Sequence, residues 1–201
     1  MKTSIAQSLI HSYSYSQYRK IIVDLLVVEK STGNEQSEDL THYSNLNETR
    51  MHRLDKTLTI SEEYKHSLRA LKNNYIWLVI AEGWCGDAAQ LLPVFNKMAE
   101  ISDKIELKIV LRDENEHLMN HFLTNGAKAI PKLIVIDKNN LNVEANWGPR
   151  PKGASDLIKN YKAQFGLIDQ TAKTELQLWY LHDKGFSTQK ELMDLMLDLD
   201  K

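Results

Sequence analysis

The chain has 201 residues, 42% of them hydrophobic and 26% charged, with a formal net charge of −2. So nearly neutral a balance argues against nucleic acid as a main partner, because phosphate binding needs a concentrated basic face. No stretch nears the roughly 18 uninterrupted apolar residues of a membrane-crossing helix, and the composition is that of a soluble globule with one compact domain and appendages.

Met1 to Ser8 carry no sustained apolar core and do not read as a secretory signal. With a single cysteine in the chain, this points to the cytoplasm, where thiols stay reduced. Up to Ala70 the sequence reads as helices. Tyr18, Ile21, Ile22, Leu25 and Leu26 repeat with helical spacing, and Ser31-Thr32-Gly33-Asn34 ends that helix. A second helix is expected from about Glu38 to Leu58, with Met51, Leu54 and Leu58 on one side. Ser61 reads as the N-cap of a third, with Glu62 and Glu63 complementing its dipole and Tyr64, Leu68 and Leu71 as its stripe.

From Tyr75 the character changes. Ile76–Ala81 reads as a buried strand, Cys85–Glu100 as a helix, Ile105–Leu111 as a strand and Asn115–Asn125 as a helix. Leu133–Ile136 and Asn142–Trp147 form a hairpin around Asp137-Lys138-Asn139-Asn140, and Ala154–Phe165 is a helix stopped by Gly166. Two β–α–β passages imply parallel strands with helices on both faces, the hairpin adding an antiparallel edge. The tail reads as a helical pair broken at Lys184-Gly185-Phe186-Ser187. Thr188 and Glu191 form a capping box there, and Leu192, Leu195, Met196 and Leu199 an apolar stripe.

The chemistry centres on Cys85, in Trp84-Cys85-Gly86-Asp87-Ala88, where a strand gives way to a helix. The free amides and positive dipole end of a helix N-terminus favour thiolate, lowering the thiol pKa from about 8.5. Asp87 works against this by repelling a thiolate, or else serves the helix dipole. No intramolecular disulfide can form, since Ala88 stands where a partner would be. His117 and His121, at i, i+4, lack a third metal ligand and read as a surface pair. No phosphate-binding glycine motif is present. Leu91 occupies the arginine position of a phosphatase-type Cys-x5-Arg.

Ala81-Glu82-Gly83-Trp84-Cys85-Gly86, Ala129-Ile130-Pro131-Lys132 and the strand after it resemble the thioredoxin superfamily over about residues 60–166. More narrowly, Trp84-Cys85-Gly86-Asp87-Ala88-Ala89-Gln90 with Asn146-Trp147-Gly148-Pro149-Arg150-Pro151 resembles bacterial single-cysteine thioredoxin-like proteins. The resemblance implies a cis Ile130–Pro131 bond beside the cysteine. It also implies a groove rimmed by Trp84, Ile130, Pro131, Trp147 and Gly148, within reach of Arg150. Trp147 and Trp179 otherwise read as packing residues. Measured against thioredoxin, Ala88 replaces the second cysteine, Val79 the buried aspartate and Ile109 the lysine of the next strand. Monothiol glutaredoxins share the lone thiol, but their glycine pair and aspartate are missing around Trp147-Gly148-Pro149-Arg150.

The expected architecture is α/β: a thioredoxin-like domain (60–166) with a central mixed sheet, an N-terminal helical extension (1–59) and a C-terminal helical hairpin (167–201). Two functions stand side by side. In one, Cys85 exchanges with protein or low-molecular-weight thiols and disulfides, an external thiol resolves the bridge, and Gly86–Ala88 amides hold the thiolate. In the other, a redox-inactive module binds a partner in the groove around Trp84 and Pro131. A third is a sensor joining two subunits through Cys85. No metal or cofactor is expected.

Overall fold

The computed structural model describes residues 1–201. Four helices precede the sheet: α1 (Lys2–Ile10), α2 (Tyr15–Val27), α3 (Glu38–Thr57) and α4 (Glu62–Arg69). The last three begin at serines whose hydroxyls accept a first-turn amide: Ser14 from Gln17, Ser37 from Leu40 and Ser61 from Tyr64. Each bond satisfies one of the donors a helix start leaves free. The stripes read from sequence are the buried faces, through Tyr18 and Ile22, Met51 and Leu54, and Leu68. Arg19 joins α2 to α3 by pairing with Glu48 and Asp55.

The run Ile76–Ala81 has no charged side chain, and β1 (Tyr75–Ala81) is buried along its length, as a strand covered on both faces must be. After α5 (Gly86–Ala99), β2 (Ile105–Leu111) pairs parallel with β1, from Tyr75↔Ile105 to Ala81↔Leu111. Then come the single turn α6 (Glu116–Met119), β3 (Lys132–Asp137) and β4 (Val143–Trp147). The four-stranded mixed sheet runs β2-β1-β3-β4. Trp77 packs edge-on against Phe95 of α5 at 6.4 Å between ring centroids, and Phe95 against Trp147 at 5.8 Å. Strand alternation therefore puts Tyr75, Trp77 and Val79 on the face under α5. Along the outer edge of β2, Tyr13 and Ile109 exchange both backbone hydrogen bonds at 2.8 Å, shielding that edge from further pairing.

Two expectations fail here. Only β1–α5–β2 is a parallel crossover, because β3 lies antiparallel on the other side of β1. The helix expected over Asn115–Asn125 shrinks to α6. Asn125 and Gly126, at φ 50° and 78°, turn the chain back so that Thr124 pairs with Ala127. α6 has already ended at Met119, and the chain passes through this turn before entering β3. The β3–β4 hairpin is as read, and Asp137 accepts the amides of Asn139 and Asn140 at 2.7 and 3.2 Å.

Three helices close the chain: α7 (Lys152–Phe165), α8 (Gln170–Asp183) and α9 (Phe186–Leu199). Gly166, at φ 78°, ends α7, and Asp169 caps α8 through the Ala172 amide. The capping box expected at Thr188 is absent. Gly185 is the N-cap, so Thr188 falls inside the first turn and is buried, while Glu191 accepts the Trp147 indole N–H and the Lys152 amide. Leu192, Met193 and Met196 form the buried face of α9.

Beyond α9, Asp200 accepts the Lys72 and Asn73 amides at 2.7 and 3.0 Å and the Tyr75 hydroxyl at 3.1 Å, fastening the C-terminus to the start of β1. Burial alone would raise its carboxyl, but these donors outweigh it and hold the pKa below the ordinary value. A depressed folded value means stability present above about pH 4 and lost as pH falls through that value. Asp200→Asn is therefore expected to lower the urea midpoint at pH 7, costing about 1–3 kcal/mol, with the gap to wild type closing below about pH 4.

Candidate functional site

The loop between β1 and α5 is held by residues far away in sequence. The Gly83 N–H donates to Thr32 Oγ1 at 2.8 Å, and Asn47 Nδ2 donates to the Gly83 carbonyl at 2.9 Å. Thr32 and Asn47 are both buried, so neither bond competes with water. The fit around Gly83 is close, since a Cβ there would lie 3.0 Å from Ile22 Cγ1. Glu82 is fully buried, accepts the Asp113 amide at 3.0 Å, and is pushed above the ordinary carboxyl range by burial.

That loop delivers Cys85 to the N-cap of α5. Its thiol is 8% exposed, donates to the Ile130 carbonyl at 3.4 Å and accepts the Ala88 amide at 3.5 Å. Burial, and next the Asp87 charge, push the thiol up to about 12; the Ala88 and Asp87 amides and Arg150 pull the other way and lose. The expectation of a lowered thiol pKa is thus overturned. Desolvation of the thiolate outweighs the helix terminus.

Asp87 is itself 7% exposed and is held by Arg150 Nη2 at 2.7 Å and by the Tyr180 hydroxyl of α8 at 2.8 Å. Arg150, expected to reach the sulfur, instead pairs with this carboxylate. Ala88 is fully buried behind the thiol. The Ile130–Pro131 bond is cis, as the resemblance implies, and so is Gly148–Pro149.

Above the thiol opens a cavity of about 890 Å³, with walls from α3 and α8. Leu40, Tyr43, Leu46 and Arg50 face it from α3, and Gln170, Lys173, Leu176 and Gln177 from α8. Trp84, Cys85, Gly86, Asp87, Ile130 and Arg150 line its base and side. Of the N-terminal helices, α3 therefore walls the cleft. Arg112 stacks over Trp84, 4.9 Å from the ring centroid.

The thioredoxin family model matches residues 33–162, well over half of the chain. The chain belongs to the thioredoxin family. No curated protein matches it. Two solved structures share the fold of this thioredoxin-family protein. One is the crystal structure of an HIV epitope scaffold, at TM-score 0.58 and 17% identity, covering 92% of this chain and 99% of that one. The other is a Pseudomonas aeruginosa protein of unknown function, at TM-score 0.51 and 16% identity, covering 93% and 95%.

Three residues expected on the groove of this thioredoxin-family chain lie elsewhere. Trp147 packs on Phe95 and donates to Glu191 at 2.8 Å, which is its packing reading. Pro131 is buried beneath the cleft, and Gly148, at φ 114°, backs onto it so closely that a Cβ would meet the Pro131 carbonyl at 2.5 Å. Lys132, also buried, donates to Thr124 and to the Gly148 carbonyl. His117 and His121 sit 3.4 Å from Ser8 and Ser4 of α1, and no group of three or more His, Cys, Asp or Glu is placed to hold a metal. No helix is long and apolar enough to cross a membrane.

Sequence reading missed the whole α3 wall, Arg112, Gln177 and Tyr180. A signal existed for α3, since Ser44 and Asn47 continue the Met51–Leu54 stripe backwards at helical spacing. Polar residues on a buried stripe need partners. Nothing of the kind marked Arg112.

Arg150→Met leaves Asp87 buried with Tyr180 alone and is expected to cost about 2 kcal/mol in urea unfolding, less than a fully buried pair because Arg150 is 28% exposed. Lys190→Met, which breaks the exposed Lys190–Asp194 pair, is expected to cost well under 1 kcal/mol.

Proposed function

We propose that this chain is a binding module on a thioredoxin scaffold, in which the cleft over Cys85 receives a ligand while the thiol stays protonated. The state of Cys85 carries this reading: a buried thiol, hydrogen-bonded to a carbonyl, with a carboxylate beside it and a pKa pushed up to about 12. A nucleophilic cysteine needs the opposite surroundings, an accessible and electropositive site. The positions that carry the dithiol proton relay in thioredoxin support the same reading. Val79 and Ile109 are register partners on β1 and β2, and they and Ala88 are completely buried apolar residues.

Monothiol exchange is the second reading, favoured by the sulfur lining the cleft and taking the Ala88 amide. Alkylation kinetics separate the two. Iodoacetamide is expected to modify native Cys85 slowly at pH 7, with the rate rising only under strongly alkaline conditions. A midpoint near or below about pH 7, with mixed disulfides lost in Cys85→Ser, overturns the binding reading and restores exchange. Stability gives an independent check. A raised folded pKa stabilises fully below the unfolded value of about 8.5 and loses that contribution as pH rises toward the folded one. The melting temperature of wild type is therefore expected to fall relative to Cys85→Ala between about pH 8.5 and 11.

A further inference from the structure

We propose that the cleft is an anion site for a small organic molecule with at least two acidic groups, gripped by Arg50 near its floor and Lys173 at its rim. This rests on the binding reading and names the ligand class.

Charge is the first observation. Arg50, Arg112, Lys128, Arg150 and Lys173 line the cleft against one carboxylate, Asp87, in a chain whose net charge is −2. Asp87 is already held by Arg150, while Arg112 pairs with Asp113 and Lys128 with Glu116, both outside the cleft. Arg50 and Lys173 have no carboxylate partner; their polar contacts are Asn47 and the Tyr43 hydroxyl. Uncompensated cations facing one cavity attract anions and focus their approach.

Arg50 is also positioned in advance. Fully buried Asn47, fixed to the Gly83 carbonyl, accepts one Arg50 N–H at 2.7 Å. A guanidinium has five donors, so most remain for a ligand. Burial, and then Arg53, lower its pKa, as expected of a cation without a counter-ion. A Cβ on Gly86 would stand 3.9 Å from Arg50 Nη1 and 3.5 Å from Gln177 Nε2, so Arg50 and the Gln177 amide flank the first residue of α5. An acidic group seated there meets donors from α3 and α8.

Size and lining set the rest of the ligand. A cavity of about 890 Å³ lies in the range of small-molecule sites. Leu46, Leu176 and Ile130, with the Trp84 ring, supply apolar wall for an organic body. Lys173 projects from α8 over the Tyr43 ring of α3, 5.4 Å from its centroid, spanning the opening. Two unpaired cations on opposite walls call for two acidic groups on one molecule.

The acidic groups can be carboxylate or phosphate, and two probes separate them: isophthalate and inorganic pyrophosphate, with benzoate as the single-acid control. Binding is read by calorimetry and thermal shift at constant ionic strength. At least one of the two dianions is expected to bind saturably to wild type, and which one does assigns the acid. Benzoate is expected to bind at least tenfold more weakly than isophthalate if the carboxylate arm succeeds. The bound dianion is expected to weaken at least tenfold in Arg50→Gln and in Lys173→Gln, the latter an exposed position where folding is not at issue, and not at all in Lys190→Gln. Absence of saturable binding by both dianions, or unchanged affinity in both cleft variants, overturns the proposal. Measuring the same probes on Cys85→Ala keeps the two ideas apart. Arg50-dependent binding alongside rapid Cys85 alkylation removes only the inert-thiol reading, whereas an inert thiol with no dianion binding removes only the ligand class.

Discussion

Both hydrogen-bonding groups of the Gly83 peptide are satisfied by the N-terminal segment, through Thr32 and Asn47. Much of the site follows from this clamp. It fixes the strand-to-helix loop, so it sets where Cys85 sits at the head of α5. It also pins α3 over that point, making α3 a wall of the cleft. Buried hydrogen bonds of this kind are costly to leave half-made, so the loop and α3 are ordered together. The bareness of Gly83 is part of the same device, since Ile22 of α2 fills the space a side chain would need.

The chemistry of the sulfur follows from that enclosure. A helix N-terminus offers a thiolate a modest stabilisation that falls off within one turn. Taking the thiolate out of water costs more, and Asp87 adds repulsion from two residues away. The nearby cation does not rescue it, because Arg150 is committed to Asp87, which Tyr180 also holds. A site with the outline of a thiol–disulfide centre is thereby turned into the floor of a charged pocket. The replacements at Val79, Ala88 and Ile109 fit the proposed binding role, in which a buried proton relay would have no use.

Much of the fold was legible because its signals are local. The Tyr18–Leu26 and Met51–Leu58 stripes, the Ser61 cap and the all-apolar run after Tyr75 each announce an element over a few residues. The failures were also local in origin. The helix read over Asn115–Asn125 stopped at Met119, and Gly185 capped α9 three residues before the Thr188 box. In the site, Trp84-Cys85-Gly86 and Ile130-Pro131 were visible as motifs, and the sulfur does touch the Ile130 carbonyl. Trp147 was the ambiguous case, and its partners Phe95 and Glu191, from α5 and α9, decided for packing.

The thioredoxin fold, the lone cysteine at a helix start and the loss of its dithiol partners are all written in contiguous residues and their spacing. The surroundings of that cysteine are not. Its carbonyl partner Ile130 and the cation Arg150 lie far along the chain, and the walls of its cleft come from α3 and α8. The Asp87 charge stands in the local motif, but burial acts through space and leaves no mark on the local pattern, so the largest push on the Cys85 thiol is set by the tertiary fold.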